Sequence, residues 1–149
     1  MSEPGDLDSL YQATIVAHDR APHHAGTLAD ATHQATVDNP LCGDVVTVQA
    51  RVSDGRVRAI AFEGRGCALS RAAASIMTTM VHDRDVGAAR ALAARFEQFV
   101  TAAPDADLGD LGELGDLAAF AGVRRFRSRR ICALLPFRAL LASLDRDPR

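Results

Sequence analysis

Asp44-Val45-Val46-Thr47-Val48-Gln49-Ala50-Arg51-Val52, then Ser53-Asp54-Gly55, then Arg56-Val57-Arg58-Ala59-Ile60-Ala61-Phe62-Glu63, is the stretch that decides the fold. Its first nine residues alternate and are rich in β-branched side chains, the pattern of a strand with one buried face. Ser53-Asp54-Gly55 supplies turn chemistry, and Arg56 to Glu63 reads as the returning strand of an antiparallel hairpin. Gly64-Arg65-Gly66 breaks that strand before Cys67. From Ala68 onward an Ala-rich stretch holding Ile76, Met77, Met80 and Val81 is expected to be helical, with the two methionines as core packing. Asp83-Arg84-Asp85 marks a helix boundary. Asp85 is expected to cap a second helix whose Val86, Ala89, Leu92, Ala93, Phe96, Phe99 and Val100 form one apolar stripe.

Upstream of the hairpin, Leu7, Leu10, Tyr11, Thr14, Ile15 and His18 recur at helical spacing behind Asp6, a candidate N-cap. Ala21 to Asn39, with Pro22, Gly26 and three histidines, reads as loop ending in the Asn39-Pro40 turn signal. Downstream, Asp105 to Asp116 is acidic and Gly-rich and reads as loop or short helical turns. The last helical region carries Ile131, Leu134, Phe137, Leu141 and Leu144, and Pro136 inside it requires either a late start or a bend. The expected fold is α+β: a small antiparallel sheet of two or three strands whose apolar face is covered by several helices.

At 149 residues the chain reads as a single domain, 1–149, long enough to fold without disulfides. The 17 basic and 19 acidic residues leave a net charge of −2, which argues against broad electrostatic capture of nucleic acid. Aromatics are scarce at 5%, with no Trp, so a base-stacking surface is not expected either. Every basic residue is Arg and none is Lys, which excludes Schiff-base chemistry and a Walker-type phosphate loop. There is no apolar run long enough for a membrane span and no signal-peptide pattern at the N-terminus, so the expected location is cytoplasmic. In that compartment three cysteines read as thiols or metal ligands rather than a disulfide framework.

All three thiols lie beside backbone punctuation. Cys42 is expected to open the first strand, in Cys42-Gly43-Asp44, with residues 42 and 44 pointing to one side of an extended segment. Cys67 stands at a helix N-terminus, and Cys132 follows the cluster Arg124, Arg125, Arg127, Arg129 and Arg130. Both settings favour thiolate over thiol. Cys42, Asp44, Cys67 and Cys132 would make a full tetrahedral set for Zn²⁺ with a net charge of −2, which Arg65, Arg129 or Arg130 could offset. With no CxxC knuckle, spacing alone leaves these cysteines open to the opposite reading, as small buried hydrophobes. His23 and His24 are spare imidazoles on a loop, more in keeping with a solvent-facing position than with a ligand role.

The stretches Asn39-Pro40-x-Cys42-Gly43-Asp44, Gly64-x-Gly66-Cys67-x-x-Ser70-x-Ala72-x-x-Ser75-x-Met77 and Arg129-x-x-Cys132-Ala133-x-Leu135 resemble the U-type iron–sulfur cluster assembly family, over about residues 7 to 144. Within it the chain is similar to the SufU branch. Leu111-Gly112-Glu113-Leu114 to Gly122-Val123 resembles the insertion of that branch, and Ile131 stands where the IscU scaffold branch carries a His. The N-terminal family pattern survives only as His18, Pro22 and Gly26, with His23 and His24 in place of Arg-Asn.

The resemblance implies one Zn²⁺ per chain held by Cys42, Asp44, Cys67 and Cys132. It implies sulfur acceptance from a SufS-type cysteine desulfurase, with stimulation of its turnover and delivery to downstream iron–sulfur assembly proteins. Cys42 is then the sulfur acceptor, Asp44 a ligand that tunes it, and Arg129 a charge close to the metal. Sulfur release belongs to the partner, so the chain is a relay rather than a stand-alone enzyme. The alternative is a scaffold on which an iron–sulfur cluster forms and is passed on, with iron or a cluster as transient occupant. A third reading, a structural zinc module whose Arg cluster binds nucleic acid, is disfavoured by the low net charge. The cluster otherwise reads as a desulfurase contact or as a solvated face answering the acidic loop.

Overall fold

The computed structural model describes residues 12–107 and 109–145. The hairpin forms with strands β2 (Asp44–Ser53) and β3 (Arg56–Arg65). Asp54 and Gly55 have φ of +53° and +73°, the left-handed pair of a type I′ turn whose twist matches that of the strands. β3 runs through Gly64 and Arg65, so the strand ends before Gly66. An extra residue, Arg58, bulges opposite the Arg51/Val52 step. It changes the phase of β3, so that Val57 on one side of it and Ile60 and Phe62 on the other all enter the core.

A third strand, β1 (His33–Asn39), pairs antiparallel with β2 from His33↔Ala50 to Asn39↔Asp44, giving the order β1-β2-β3. This corrects the expectation that residues 21–39 are all loop. His33-Gln34-Ala35-Thr36-Val37-Asp38-Asn39 has weak strand propensity by itself, but at a sheet edge it needs only one apolar face. Its other face meets solvent, where Thr36 and Thr47 hydroxyls lie 2.7 Å apart and Gln49 Nε2 donates to Gln34 Oε1 at 3.1 Å.

Helices cover the inner face, where Val46, Val48 and Ala50 are fully buried. They are α1 (Ala13–Arg20), α2 (Ala68–Val81), α3 (Val86–Thr101) and α4 (Arg127–Leu144). The proposed helix start at Asp6, with Leu7, Leu10 and Tyr11, lies outside the described residues. α4 packs against β1 and β2 on one side and against α2 and α3 on others, so it is buried almost all round. It starts at Arg127, well ahead of Pro136, and continues through it. Pro136 has no N–H to give the Cys132 carbonyl one turn earlier. Phe96 gathers Phe137, Phe120 and Phe99 at centroid distances of 4.9, 5.7 and 6.3 Å.

Between α3 and α4, residues Gly112–Arg125 form 3-10 turns broken at Gly115. Leu114, Leu117, Phe120 and Val123 are all fully buried, a spacing of three that suits the three residues per turn of this helix type. Asp85 occupies the N-cap position of α3 without a side-chain cap bond. Its carboxylate instead accepts Arg56 Nη1 at 3.2 Å. Among the described residues no helix is long and apolar enough to cross a membrane.

The histidines do structural work on α2. The segment 24–26 runs along the free edge of β3, with Gly26 N–H donating to the Phe62 carbonyl at 2.8 Å and Phe62 N–H to the His24 carbonyl at 3.0 Å. His18 Nδ1 lies 2.6 Å from Ser75 Oγ, and His24 Nδ1 lies 3.1 Å from Thr78 Oγ1. His23, although exposed, joins through its backbone N–H to Ser75 Oγ at 2.8 Å. Rings of His18 and His23 sit 5.1 Å apart, and those of His24 and His82 stack at 5.4 Å.

Burial, then the neighbouring His23, holds His18 below the usual imidazole range, with Asp116 pulling the other way. Burial, then His82 and His23, lowers His24. A basic group lowered on folding binds protons better in the unfolded chain, so its neutral form stabilises the fold above pH about 6.5 and that contribution is lost as pH falls below it. Denaturant midpoints are therefore expected to fall between pH 7.5 and 5.5, and to fall less in His24→Asn. Equal slopes in variant and parent would remove His24 from this account.

Candidate metal centre

Three segments converge at one end of the sheet. The β1–β2 connection is Pro40-Leu41-Cys42-Gly43, closed by the Asn39 carbonyl, which accepts Cys42 N–H at 3.2 Å and Gly43 N–H at 2.8 Å. Asn39 Oδ1 also accepts Leu41 N–H at 3.2 Å, and Gly43 has φ of +74°, which returns the chain to β2. Cys42 is thus in the turn and exposed, whereas the alternation of the following strand had placed it at the strand's start. Asp44 is the first strand residue and is only 1% exposed.

Gly66 then makes the entry to α2. Its φ is +134°, and a Cβ there would stand 1.9 Å from Asp44 Oδ1, so only glycine leaves room for the carboxylate. Asp44 Oδ1 accepts the Cys67 backbone N–H at 3.0 Å, which satisfies an orphan donor at the helix N-terminus. Cys67 occupies the N-cap position, and its Sγ lies 3.4 Å from Asp44 Oδ2. Cys132, in the second turn of α4, is buried, with Sγ 3.9 Å from Cys42 Sγ. Exposure thus grades from Cys42 through half-buried Cys67 to buried Cys132.

The neighbouring Cys132 thiol is the main cause that lowers the Cys67 thiol to about 7, against burial. The neighbouring Cys67, with burial, pushes Cys132 well above the ordinary thiol range. Of the two, Cys67 is the more readily deprotonated, and the thiolate is the form that binds metal.

The donor set fits a divalent zinc ion. Ligand atoms of Cys42, Asp44 and Cys132 all lie within 4.8 Å of one another; Cys67 stands outside that group, its Sγ 3.4 Å from Asp44 Oδ2. A tetrahedral zinc with Zn–S of about 2.3 Å and Zn–O of about 2.0 Å has S···S edges of about 3.8 Å and S···O edges of about 3.5 Å. The separations of 3.9 and 3.4 Å match those edges. Asp44 is also a buried carboxylate with no ion-pair partner among the described residues, a group that calls for a cation.

The arginines are divided. Arg124 is buried, donates to the Ala103 and Ala106 carbonyls and places its guanidinium 5.7 Å from the centroid of the Phe99 ring. That corrects the reading of the whole cluster as a solvated face. Arg130 donates through its guanidinium to the Arg124 carbonyl. Arg129 is half-buried on α4, three residues ahead of Cys132 and on the same helix face. His23 and His24 sit with α2 and are not among the clustered ligands. The sequence reading overlooked Leu41, Phe126 and Ile131 as an apolar surface beside Cys42; nothing in local pattern announces exposure.

Residues 10–133 match the family described as NifU-like N terminal domain. The chain is 35% identical to the iron–sulfur cluster assembly scaffold protein IscU of Streptococcus pyogenes, over 95% of this chain and 86% of that one. It is 33% identical to the zinc-dependent sulfurtransferase SufU of Bacillus subtilis, over 94% and 92% of the two chains. Its fold superposes on a nitrogen-fixing NifU-like protein (N-terminal) from Brucella abortus with a TM-score of 0.84 at 28% identity, covering 94% and 95% of the two chains.

Gly66→Ala drives a methyl group into the Asp44 carboxylate. The expected result is a roughly 10–100-fold loss of zinc affinity, read by competition with a chromophoric chelator, with far-UV circular dichroism unchanged. Parental affinity would show that Asp44 need not hold its present position.

Proposed function

Because this chain belongs to the family of NifU-like N-terminal domains, we propose that it serves iron–sulfur cluster assembly as a zinc-holding sulfur acceptor that takes sulfane sulfur from a SufS-type cysteine desulfurase. The observation that carries this reading is the grading of exposure across the site. A relay needs one thiol that a partner can reach and others that stay put, and Cys42 is exposed where Asp44 and Cys132 are buried.

Cys42, Asp44, Cys67 and Cys132 would hold the ion. Bound zinc supplies the means of keeping the thiols deprotonated at neutral pH and the site closed to other electrophiles. The turn presents Cys42 Sγ at the surface, where its thiolate attacks the outer sulfur of the partner's cysteine persulfide. An S–S bond forms to Cys42, the partner's own S–S bond breaks, and the partner's cysteine leaves as thiolate; the proton on the transferred sulfur travels with it. Cys67 and Cys132 act as holding groups, Asp44 as ligand and tuner. Arg129, one turn ahead of Cys132, is the cation assigned to offset the net −2 of three thiolates, one carboxylate and Zn²⁺.

A scaffold role is the second reading, favoured by the name of the Streptococcus pyogenes relative. Protein purified without added metal separates the two. A relay holds about one zinc per chain, is colourless and raises desulfurase turnover, and Cys42→Ala abolishes that rise. Brown, iron-loaded protein with no effect on the desulfurase would establish the scaffold instead. Full stimulation by Cys42→Ala would remove Cys42 as acceptor.

A further inference from the structure

The turn that carries Cys42 depends on one residue for its shape. Pro40, Leu41, Cys42 and Gly43 are all exposed, so no core packing holds them. Their arrangement is left to hydrogen bonds, and Pro40 has no N–H to offer. The N–H groups of Cys42 and Gly43 go to the Asn39 carbonyl at 3.2 and 2.8 Å, and that of Leu41 goes to Asn39 Oδ1 at 3.2 Å. Each amide donor of the turn is thus satisfied by an oxygen of Asn39. Asn39 is itself anchored: it is the last residue of β1, only 8% exposed, and it pairs across the sheet with Asp44. A buried carboxamide costs free energy unless it is bonded, and the bond it makes is to the turn.

We propose that Asn39 is a positioning residue for sulfur transfer, its side-chain bond to the Leu41 N–H holding Cys42 Sγ at once within reach of the ion and open to the sulfur donor; the proposal rests on the sulfur-acceptor reading. Cys42 has to meet both demands from a segment that nothing else fixes. A turn freed of that bond samples more conformations, in which Cys42 swings off the ion or out of line with the persulfide. Order set in advance does not have to be established at the moment of reaction. Asn39 is buried and offers a partner little to touch, so the loss falls on the transfer step and not on the encounter. The chemistry of the bond also says what can replace it. A serine hydroxyl accepts an N–H two residues on, more weakly than an Asn side chain, whereas alanine has no acceptor.

The test compares the parent, Asn39→Ala and Asn39→Ser as zinc-loaded full chains. Alkylation of Cys42 by iodoacetamide, followed by peptide mass, reads how firmly the turn keeps the thiol on the ion. Turnover of a purified SufS-type desulfurase, titrated with each chain, reads transfer. All three proteins are expected to hold zinc. In Asn39→Ala, Cys42 is alkylated roughly twofold to tenfold faster and maximal stimulation falls by a similar factor, the worth of one such hydrogen bond. The half-saturating concentration stays parental, and Asn39→Ser lies between the two, nearer the parent. Should Asn39→Ala not fold, Asn39→Ser carries the test: smaller shifts in the same two directions support the proposal and parental rates overturn it. Parental rates in Asn39→Ala beside a lowered denaturant midpoint would make Asn39 a residue of the fold alone. A raised half-saturation with parental maximum would make it a partner contact, and zinc lost from Asn39→Ala would make it a residue of metal retention. Asn39→Ser matching Asn39→Ala would show that volume matters and not the acceptor. Each of these four results overturns the proposal while leaving the acceptor reading intact, whereas a parent that holds zinc yet never stimulates the desulfurase overturns both.

Discussion

The contact between Asp44 and the first turn of α2 is the constraint on which the site depends. A carboxylate 1% exposed accepts the Cys67 N–H at 3.0 Å, and it fits only because Gly66 has no side chain. That single bond ties the start of β2 to the start of a helix 23 residues later in the chain. It brings the Asp44 and Cys67 donors together before any cation is considered. A buried carboxylate is costly unless compensated, so the same contact that organises the backbone also creates a demand for positive charge.

Around that contact, two other elements complete the donor set by different means. Cys132 is delivered by α4, a helix packed between sheet and helices, and is therefore as fixed as the core itself. Cys42 is delivered by a turn whose shape is set by Asn39 and Gly43 rather than by core packing. Rigid delivery suits a holding ligand and surface delivery suits a group that must meet a partner. The arrangement thus separates two demands that conflict in a single residue.

Electrostatics follow the same division. Arg124 and Arg130 satisfy backbone carbonyls at the entry to α4 and so belong to the architecture. Arg125 and Arg127 remain at the surface beside Cys42. A run of five arginines in seven positions, uniform as text, becomes two populations once the chain folds.

How much could be read in advance varies with the range of the interaction. The β2–β3 hairpin, the Ala-rich helix after Cys67 and the stripe from Ala89 to Val100 were legible because period and turn chemistry are local properties. So was the candidacy of the three cysteines and Asp44, through short motifs. β1 was not legible, because His33 to Asn39 becomes a strand only by pairing with β2. The side-chain bond that Asp85 lacks as a cap went the same way: Arg56, distant in sequence, competes for its carboxylate. The amino-acid order by itself determined the α+β class, the hairpin and the residues able to bind metal, since each is encoded within a few neighbouring positions. Tertiary structure alone decided that Cys42, Asp44 and Cys132 bring their ligand atoms together with Cys67 beside Asp44, that Asp44 is buried while Cys42 is exposed, and that Leu41 is exposed. Those are relations between surfaces far apart along the chain, and only packing brings them together.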